Sequence, residues 1–341
     1  MGTQLGPILE AKEIKIQDLT GKKVVVDSFN ILYQFLSTIR QQDGSLLTDS
    51  HGNITSHLSG LFFRTTNLMK NGIRLAFVFD GIAPDLKKKE RERRKEAKET
   101  AKIKYDQAAA DGDIELMKKY ASRTSTLTSL QIQEAKELIS ALGLPIIQAP
   151  SEGEAQAAHM VRKQEFYGLV SQDTDGLLFG APKLIKNLSI TGRKKRTGKS
   201  SFQVVEPEVI DLVDNLNHLS IDREQLIVVG MLCGTDFNIG GIKGIGPKKA
   251  HDLVKKYGKD FDRLFLEAKW DETFTYTWKE VFDTIYKMPV VDDYNLNWGD
   301  IDNNKIYELL VEKHDFSKER VEKVLEELNI KTAQKGLGDF F

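Results

Sequence analysis

The chain has 341 residues, with 49 Lys or Arg balanced by 50 Asp or Glu, a net charge of −1, 40% hydrophobic residues and one cysteine. That length allows two domains at about 150 residues each, or one large α/β domain with an appended lobe. The charge balance argues against a protein that simply coats nucleic acid, the lone Cys233 rules out an intrachain disulfide, and no run is long and apolar enough to span a bilayer.

The first predicted strand is Val24 to Val26, a β-branched run that stops at Asp27. A helical pattern follows over Ile31 to Arg40, and another over Ser56 to Asn71, where Leu58, Leu61, Phe62, Thr65 and Leu68 share one face. Leu75 to Phe79 is the second strand and stops at Asp80. The character then changes. Lys87 to Lys104 carries ten Lys or Arg and four Glu, an excess of six positive charges, and is helix-forming without an apolar stripe. Such a run is read as a solvated, salt-bridged helix or a flexible insert. Its place just after a strand-end aspartate favours a substrate-binding arch.

The amphipathic pattern resumes over Ser129 to Leu142, and Leu144 to Ile147 is the third strand. Pro150-Ser151-Glu152-Gly153-Glu154 then opens a helix. Ser151 and Glu154 have the spacing of a capping box, in which serine and glutamate satisfy helix-end amides. Glu152 adds a second carboxylate at a strand-to-helix junction, so the pair also suits cation binding. Tyr167 to Val170 is the fourth strand, followed by Asp173 and Asp175, two residues apart and able to point the same way from a strand end. Arg193 to Arg196 reads as the tip of an exposed hairpin. A helical stretch from Glu224 to Cys233 leads to Asp236. Cys233 itself reads as a small buried hydrophobe.

Ile242 to Ala250 contains Gly244, Ile245, Gly246, Pro247, Lys248 and Lys249. Glycines flanking one apolar residue make a tight hairpin, and Pro247 suits a first helical turn. The free amides there and the following helix N-terminus form an anion site to which Lys248 and Lys249 add charge. This is a helix-hairpin-helix pattern for gripping a duplex backbone without reading bases. Asp292 to Asp302 is an acidic loop without a distinguishing feature. The tail ends in Phe340 and Phe341, aromatic residues in a polar segment, as in a docking peptide.

Strands alternating with helices predict an α/β fold: a central, mostly parallel twisted sheet with helices on both faces, a helical arch insertion and a helix-hairpin-helix DNA-binding lobe. In an open parallel sheet the carboxyl ends of the strands meet in one crevice. Asp27, Asp80, Glu152, Glu154, Asp173, Asp175 and Asp236 would converge there, and that much negative charge calls for divalent cations. Two such ions are the machinery of phosphodiester hydrolysis.

Taken together, these motifs resemble the flap endonucleases, structure-specific 5′ nucleases of DNA replication and repair, and within them the archaeal branch. The resemblance covers nearly the whole chain and includes a sliding-clamp box formed by Gln334, Leu337, Phe340 and Phe341. It implies removal of 5′ flaps at branched DNA, with 5′-3′ exonuclease activity, using two Mg2+ ions that Mn2+ can replace. Asp27, Asp80, Glu152 and Glu154 would serve one ion, and Asp173, Asp175 and Asp236 the other. Lys87 and Arg94, seven residues apart at the base of the arch, match a basic pair acting on the scissile phosphate. Tyr33 matches an aromatic that stacks on the base beside the cleaved bond. Arg40 and Thr55 lie where the family holds a one-nucleotide 3′ flap. The expected divisions are a nuclease region over 1–98, the rest of the arch over 99–128, a second nuclease region with the hairpin over 129–258, a C-terminal lobe over 259–329 and the clamp tail over 330–341. The expected protein is a monomer in the cytoplasm or nucleoid, or in the nucleus of a nucleated cell. The rival readings are a bubble or junction nuclease of the same superfamily, a junction-binding clamp adaptor that cuts nothing, and a phosphomonoesterase with an aspartyl nucleophile.

Overall fold

The computed structural model describes residues 3–121, 124–190, 192–195 and 202–338. Its centre is a seven-stranded sheet. In chain order the strands are β1 (Lys12–Glu13), β2 (Lys23–Asp27), β3 (Arg74–Phe79), β4 (Ile146–Gln148), β5 (Gly168–Val170), β6 (Lys183–Lys186) and, after a separate hairpin of β7 (Gly192–Lys195) and β8 (Phe202–Val205), β9 (Glu208–Asp211). The spatial order is β1-β9-β6-β5-β2-β3-β4. Five strands run parallel, from β6 to β4, and β9 and β1 add an antiparallel edge. The run Val24 to Val26 is buried on both faces, so β2 is a central strand; it pairs with Leu75 to Phe77 on one side and Gly168 to Val170 on the other. From β2 the chain builds outward through β3 and β4, then returns to add β5 on the opposite side. The switch point lies between β2 and β5.

One face of the sheet is covered by α1 (Ser28–Thr38), α2 (Ser56–Lys70) and α5 (Ser129–Ala141), whose Leu32, Phe35, Leu58, Phe62, Leu138 and Ile139 form one core. The helices cross closely because position 60 is glycine: a Cβ there would fall within the ring of Phe35. The other face takes α6 (Gly153–Arg162), α7 (Asp175–Leu178), α8 (Leu212–Leu219) and α9 (Arg223–Cys233). That second core runs on without a break into a helical lobe of α10 (Pro247–Tyr257), α11 (Phe261–Glu267), α12 (Trp270–Thr273) and α13 (Trp278–Tyr286). The segment from 259 to 329 is shared between the faces. Beyond α13, α14 (Asn303–Tyr307), a π turn over Glu308–Glu312 and α15 (Lys318–Gly338) return to pack on α2 and α5 through Ile306, Leu310, Val321 and Leu325.

The basic run folds as α3 (Lys88–Ala110), which turns at Gly112 (φ +68°) into α4 (Ile114–Ala121) packed back against it. The arch insertion is thus a helical hairpin.

Element boundaries moved in two places. The first helix begins at Ser28, three residues before its predicted start, because Asp27 caps it by accepting from the Asn30 amide at 3.1 Å. It ends before Arg40, which bridges Leu46 across the next loop. The third strand begins at Ile146, since Leu144 and Pro145 lie before the ladder. The acidic loop has a structural role that its composition hid. Trp298 donates to the Leu75 carbonyl at 2.8 Å and carries the Arg74 guanidinium 4.3 Å from its ring centroid. Gly299 bonds to Gly143 at 2.9 Å, so the loop straps the amino-terminal edge of the sheet. Arg193 to Lys195 lie in the β7–β8 hairpin as expected, while Arg196 falls outside the described residues.

Replacing Gly60 by Ala is expected to destabilise the chain by about 1–3 kcal/mol through overpacking against Phe35, measured as a lowered urea midpoint with unchanged slope.

Candidate active site

The crevice beside the β2–β5 switch point collects the predicted carboxylates. Asp27 closes β2, Asp80 follows β3, Glu152 and Glu154 straddle the start of α6, and Asp173 and Asp175 follow β5. Asp236 comes from the turn after α9. That turn is tight: Gly234 has φ +101°, Thr235 Oγ1 donates to Asn238 Oδ1 at 2.7 Å, and Ile242 returns to the Leu232 carbonyl at 2.8 Å.

The carboxylates lie close enough to alter one another's ionisation. Burial and Asp80 push Asp27 up to about 8. Burial, then Asp27, Asp175 and Asp173, holds Glu154 well above the usual range. Burial and Asp236 raise Asp175 to about 6. Asp80 and Glu152 are raised by burial, against the pull of Lys87. All seven therefore share one field. Glu154 responds to members of both predicted subsets, Asp27 in one and Asp175 and Asp173 in the other.

Two cations neutralise part of this charge. Lys87, at the end of the 3-10 turn before α3, pairs with Glu152 and reaches Asp236 at 3.3 Å. Arg94, one and a half turns into α3, bonds Asp236 Oδ1 through Nη2 at 2.6 Å. Burial alone would pull both cations down, but their carboxylate partners outweigh it and both are raised. Among the described residues no group of three or more His, Cys, Asp or Glu could hold a metal ion with its side chains as they stand, and the Lys87 ammonium lies between Glu152 and Asp236. The donor set nevertheless fits a hard divalent cation. It offers only oxygens, it is under-neutralised, and two of its members are held by an ammonium that an ion can replace.

Several contacts were not legible from sequence. Asn30 donates to Asp173 Oδ2 at 3.0 Å and accepts from the Gln172 amide at 3.0 Å. Ser171 donates to Glu154 at 2.9 Å, and the Thr3 amide to Asp175 Oδ1 at 2.7 Å. Glu90, only 2% exposed, holds Arg93 and Arg94. The capping box is absent. The α6 helix starts at Gly153, too late for Ser151 to cap it; Ser151 donates to the Ile82 carbonyl and Glu154 receives Ser171. Asp173 and Asp175 do not project from a strand. The ladder ends at Val170, Asp173 sits in a bend and Asp175 begins α7.

Away from the cluster, Tyr33 is exposed on α1, with Lys98 Nζ of the arch 4.7 Å from its ring centroid. Arg40 is tied to the Gly44 carbonyl at 2.9 Å and Ser125 Oγ at 2.6 Å. Thr55 is buried at the start of α2. Both flank the 41–54 loop and neither touches the cluster. Gly244 (φ +80°) and Gly246, the residue before α10, shape the hairpin, and Lys248 and Lys249 are exposed beside it. Cys233, expected to be buried, is only partly so, and that burial pushes its thiol up to about 11. Gln334 and Leu337 fall within α15, and Phe340 and Phe341 lie outside the described residues. Among the described residues no helix is long and apolar enough to cross a membrane.

Residues 1–101 match the XPG N-terminal domain and residues 143–236 the XPG I-region. Flap endonuclease 1 of Thermococcus onnurineus is 52% identical over 96% of this chain and 94% of that protein. The chain belongs to the flap endonuclease family. Flap endonuclease 1 of Staphylothermus marinus is 47% identical over the full length of both. The structure of flap endonuclease-1 from Methanococcus jannaschii superimposes with a TM-score of 0.76 at 39% identity, covering 98% of this chain and all of that one. The catalytic core of Rad2 bound to a DNA substrate gives 0.68 at 26% identity, covering 95% and 97%. Membership in this family makes the chain a metal-dependent nuclease that hydrolyses phosphodiester bonds, and sets aside the phosphomonoesterase and the adaptor that cuts nothing.

The raised Asp27 carboxyl sets a pH dependence for the metal-free protein. Its folded pKa exceeds the ordinary value of 3.8, so the fold favours the protonated form. That contribution is present below about pH 4 and is lost as pH rises towards about 8. In EDTA, Asp27→Asn is expected to flatten the fall in stability across this window, read as melting temperature against pH.

Proposed function

We propose that this chain is a structure-specific 5′ flap endonuclease with 5′-3′ exonuclease activity, removing 5′ flaps at branched DNA junctions in replication and repair. One observation carries the reading: seven carboxylates meet beneath Lys87 and Arg94 in a chain 47–52% identical, over nearly its whole length, to proteins of that activity. Two Mg2+ ions, for which Mn2+ can substitute, would supply the charge that activates water and polarises the scissile phosphate. Asp27, Asp80, Glu152 and Glu154 would hold the first ion, and Asp173, Asp175 and Asp236 the second, with Glu154 between them.

Lys87 and Arg94 exchange their carboxylate partners for the scissile phosphate as substrate enters, and offset charge there in the transition state. Tyr33 stacks on the base next to the cleaved bond once Lys98 has withdrawn from its ring. Gly244 and Gly246 open backbone amides to the downstream duplex, and Lys248 and Lys249 add charge to that grip. Arg40 and Thr55 bound the loop assigned to a one-nucleotide 3′ flap. Arg40 already has bonded partners and Thr55 is buried, so this role requires the loop to rearrange. Gln334, Leu337, Phe340 and Phe341 form the box that docks on a sliding clamp. The protein acts as an intracellular monomer, with the nuclease regions 1–98 and 129–258 separated by the arch.

Asp173→Ala is expected to abolish cleavage of a double-flap substrate in magnesium while junction affinity stays near wild type, measured by gel assay and fluorescence anisotropy. Near-normal turnover would refute the assignment. Lys87→Ala and Arg94→Ala should each slow single-turnover cleavage by roughly 10²–10³-fold with little change in affinity; mutants that lost affinity alone would remove both residues from the chemistry. Deleting Phe340 and Phe341 should eliminate stimulation by the clamp and spare basal cleavage, and undiminished clamp binding by that truncation would overturn the docking role.

A further inference from the structure

The first turn of the arch contains a carboxylate that the cluster does not use. Glu90 is 2% exposed, although it lies in a helix that is polar on every side. Its Oε2 accepts from Arg93 Nε at 2.7 Å, and its Oε1 accepts from Arg93 Nη2 at 2.7 Å and from Arg94 Nε at 2.6 Å. Arg94 is therefore held by two edges at once, Nε on Glu90 and Nη2 on Asp236. The two holds differ in kind. Asp236 belongs to the anionic cluster, whereas Glu90 is four residues from Arg94 on the same helix.

We propose that Glu90 is a positioning residue for Arg94. It keeps the Nε edge of the guanidinium fixed when Asp236 gives up the Nη2 edge, so that Nη2 is presented to the scissile phosphate without a search among side-chain rotamers. The geometry supports this in three ways. An arginine on a helix without an apolar stripe has no packing to direct it, so a charge-assisted bond must do so. A buried carboxylate is costly unless it is bonded, and the bidentate contact from Arg93 brings Glu90 to three bonds and fixes its plane. A guanidinium already oriented by one edge needs no reorganisation as charge develops on the phosphate. Arg93, half exposed, acts one step further back, as the residue that steadies Glu90. The inference rests on the reading of Arg94 given above.

The test is Glu90→Gln in the full chain, a nearly isosteric change that leaves one acceptor oxygen and turns an amide toward a guanidinium. Single-turnover cleavage of a double-flap substrate in magnesium should slow about tenfold, the size of one charge-assisted bond lost at a preorganised group. Junction affinity in EDTA should stay within about twofold. In an Arg94→Ala background the same change should add less than about twofold, because neighbours that act as one unit are not additive. Independently of turnover, the Arg94 Nε–H resonance of the metal-free protein, assigned with Arg94→Lys, should be slow to exchange with solvent and should lose that protection in Glu90→Gln. Glu90→Asp, which keeps the charge one methylene short, provides the same comparison if the glutamine variant folds poorly. Wild-type cleavage by Glu90→Gln, or an equal slowing with and without Arg94, would overturn the proposal. Should Arg94→Ala itself cut normally, the catalytic reading of Arg94 fails, and the exchange measurement alone decides whether Glu90 holds the guanidinium.

Discussion

Mutual repulsion among seven carboxylates is the constraint on which this molecule is organised. Folding drives them together because Asp27 and Asp80 stand at the ends of strands whose apolar residues must be buried, and the others sit on the turns and helix starts packed beside them: Asp27 can no more leave the crevice than Val24 to Val26 can leave the centre of the sheet. Once gathered, Asp27, Asp80, Glu152, Glu154 and Asp175 bear the cost of burial and like charge, and the chain answers with an ammonium and a guanidinium from outside the sheet. The cations come from the base of the arch, so the element that would meet substrate is tied by charge to the centre that would cut it.

Asp236 is the place where three parts of the fold meet. Its turn connects α9 to the hairpin and lobe, its oxygens receive Arg94 and Lys87 from the base of the arch, and its field reaches Asp80 after β3 and Asp175 at the start of α7. The same tight turn that aims Asp236 also sets where the hairpin before α10 begins. A shift of the lobe relative to the sheet would therefore move a carboxylate of the cluster, which couples the position of the hairpin to the geometry of the cluster.

Much of this was legible in the sequence, for a physical reason. Asp27 and Asp80 each follow an unbroken apolar run, and a strand's end is visible wherever hydrophobicity stops. Gly244 to Lys249 was readable because a turn of that geometry admits few residue types. What stayed hidden depends on partners far apart in the chain. Asn30 holds Asp173 across 143 residues, and nothing near either residue announces it. Ser151 and Glu154 matched a local rule exactly where tertiary contacts overrode it, since Ser151 is needed by the Ile82 carbonyl and Glu154 by the cluster. Trp298 sat in a loop of unremarkable composition because its packing site is an exposed sheet edge made by other segments.

Four cations at and near the base of the arch reach the body. Beyond Lys87 and Arg94, Lys98 lies over the Tyr33 ring and Lys89 stands 5.6 Å from the centroid of Tyr276, while Leu86, just ahead of them, is half-buried against the core. Charge contacts at a surface weaken as counter-ions screen them, so the ionic strength of the medium becomes a control on how firmly the helical hairpin is held.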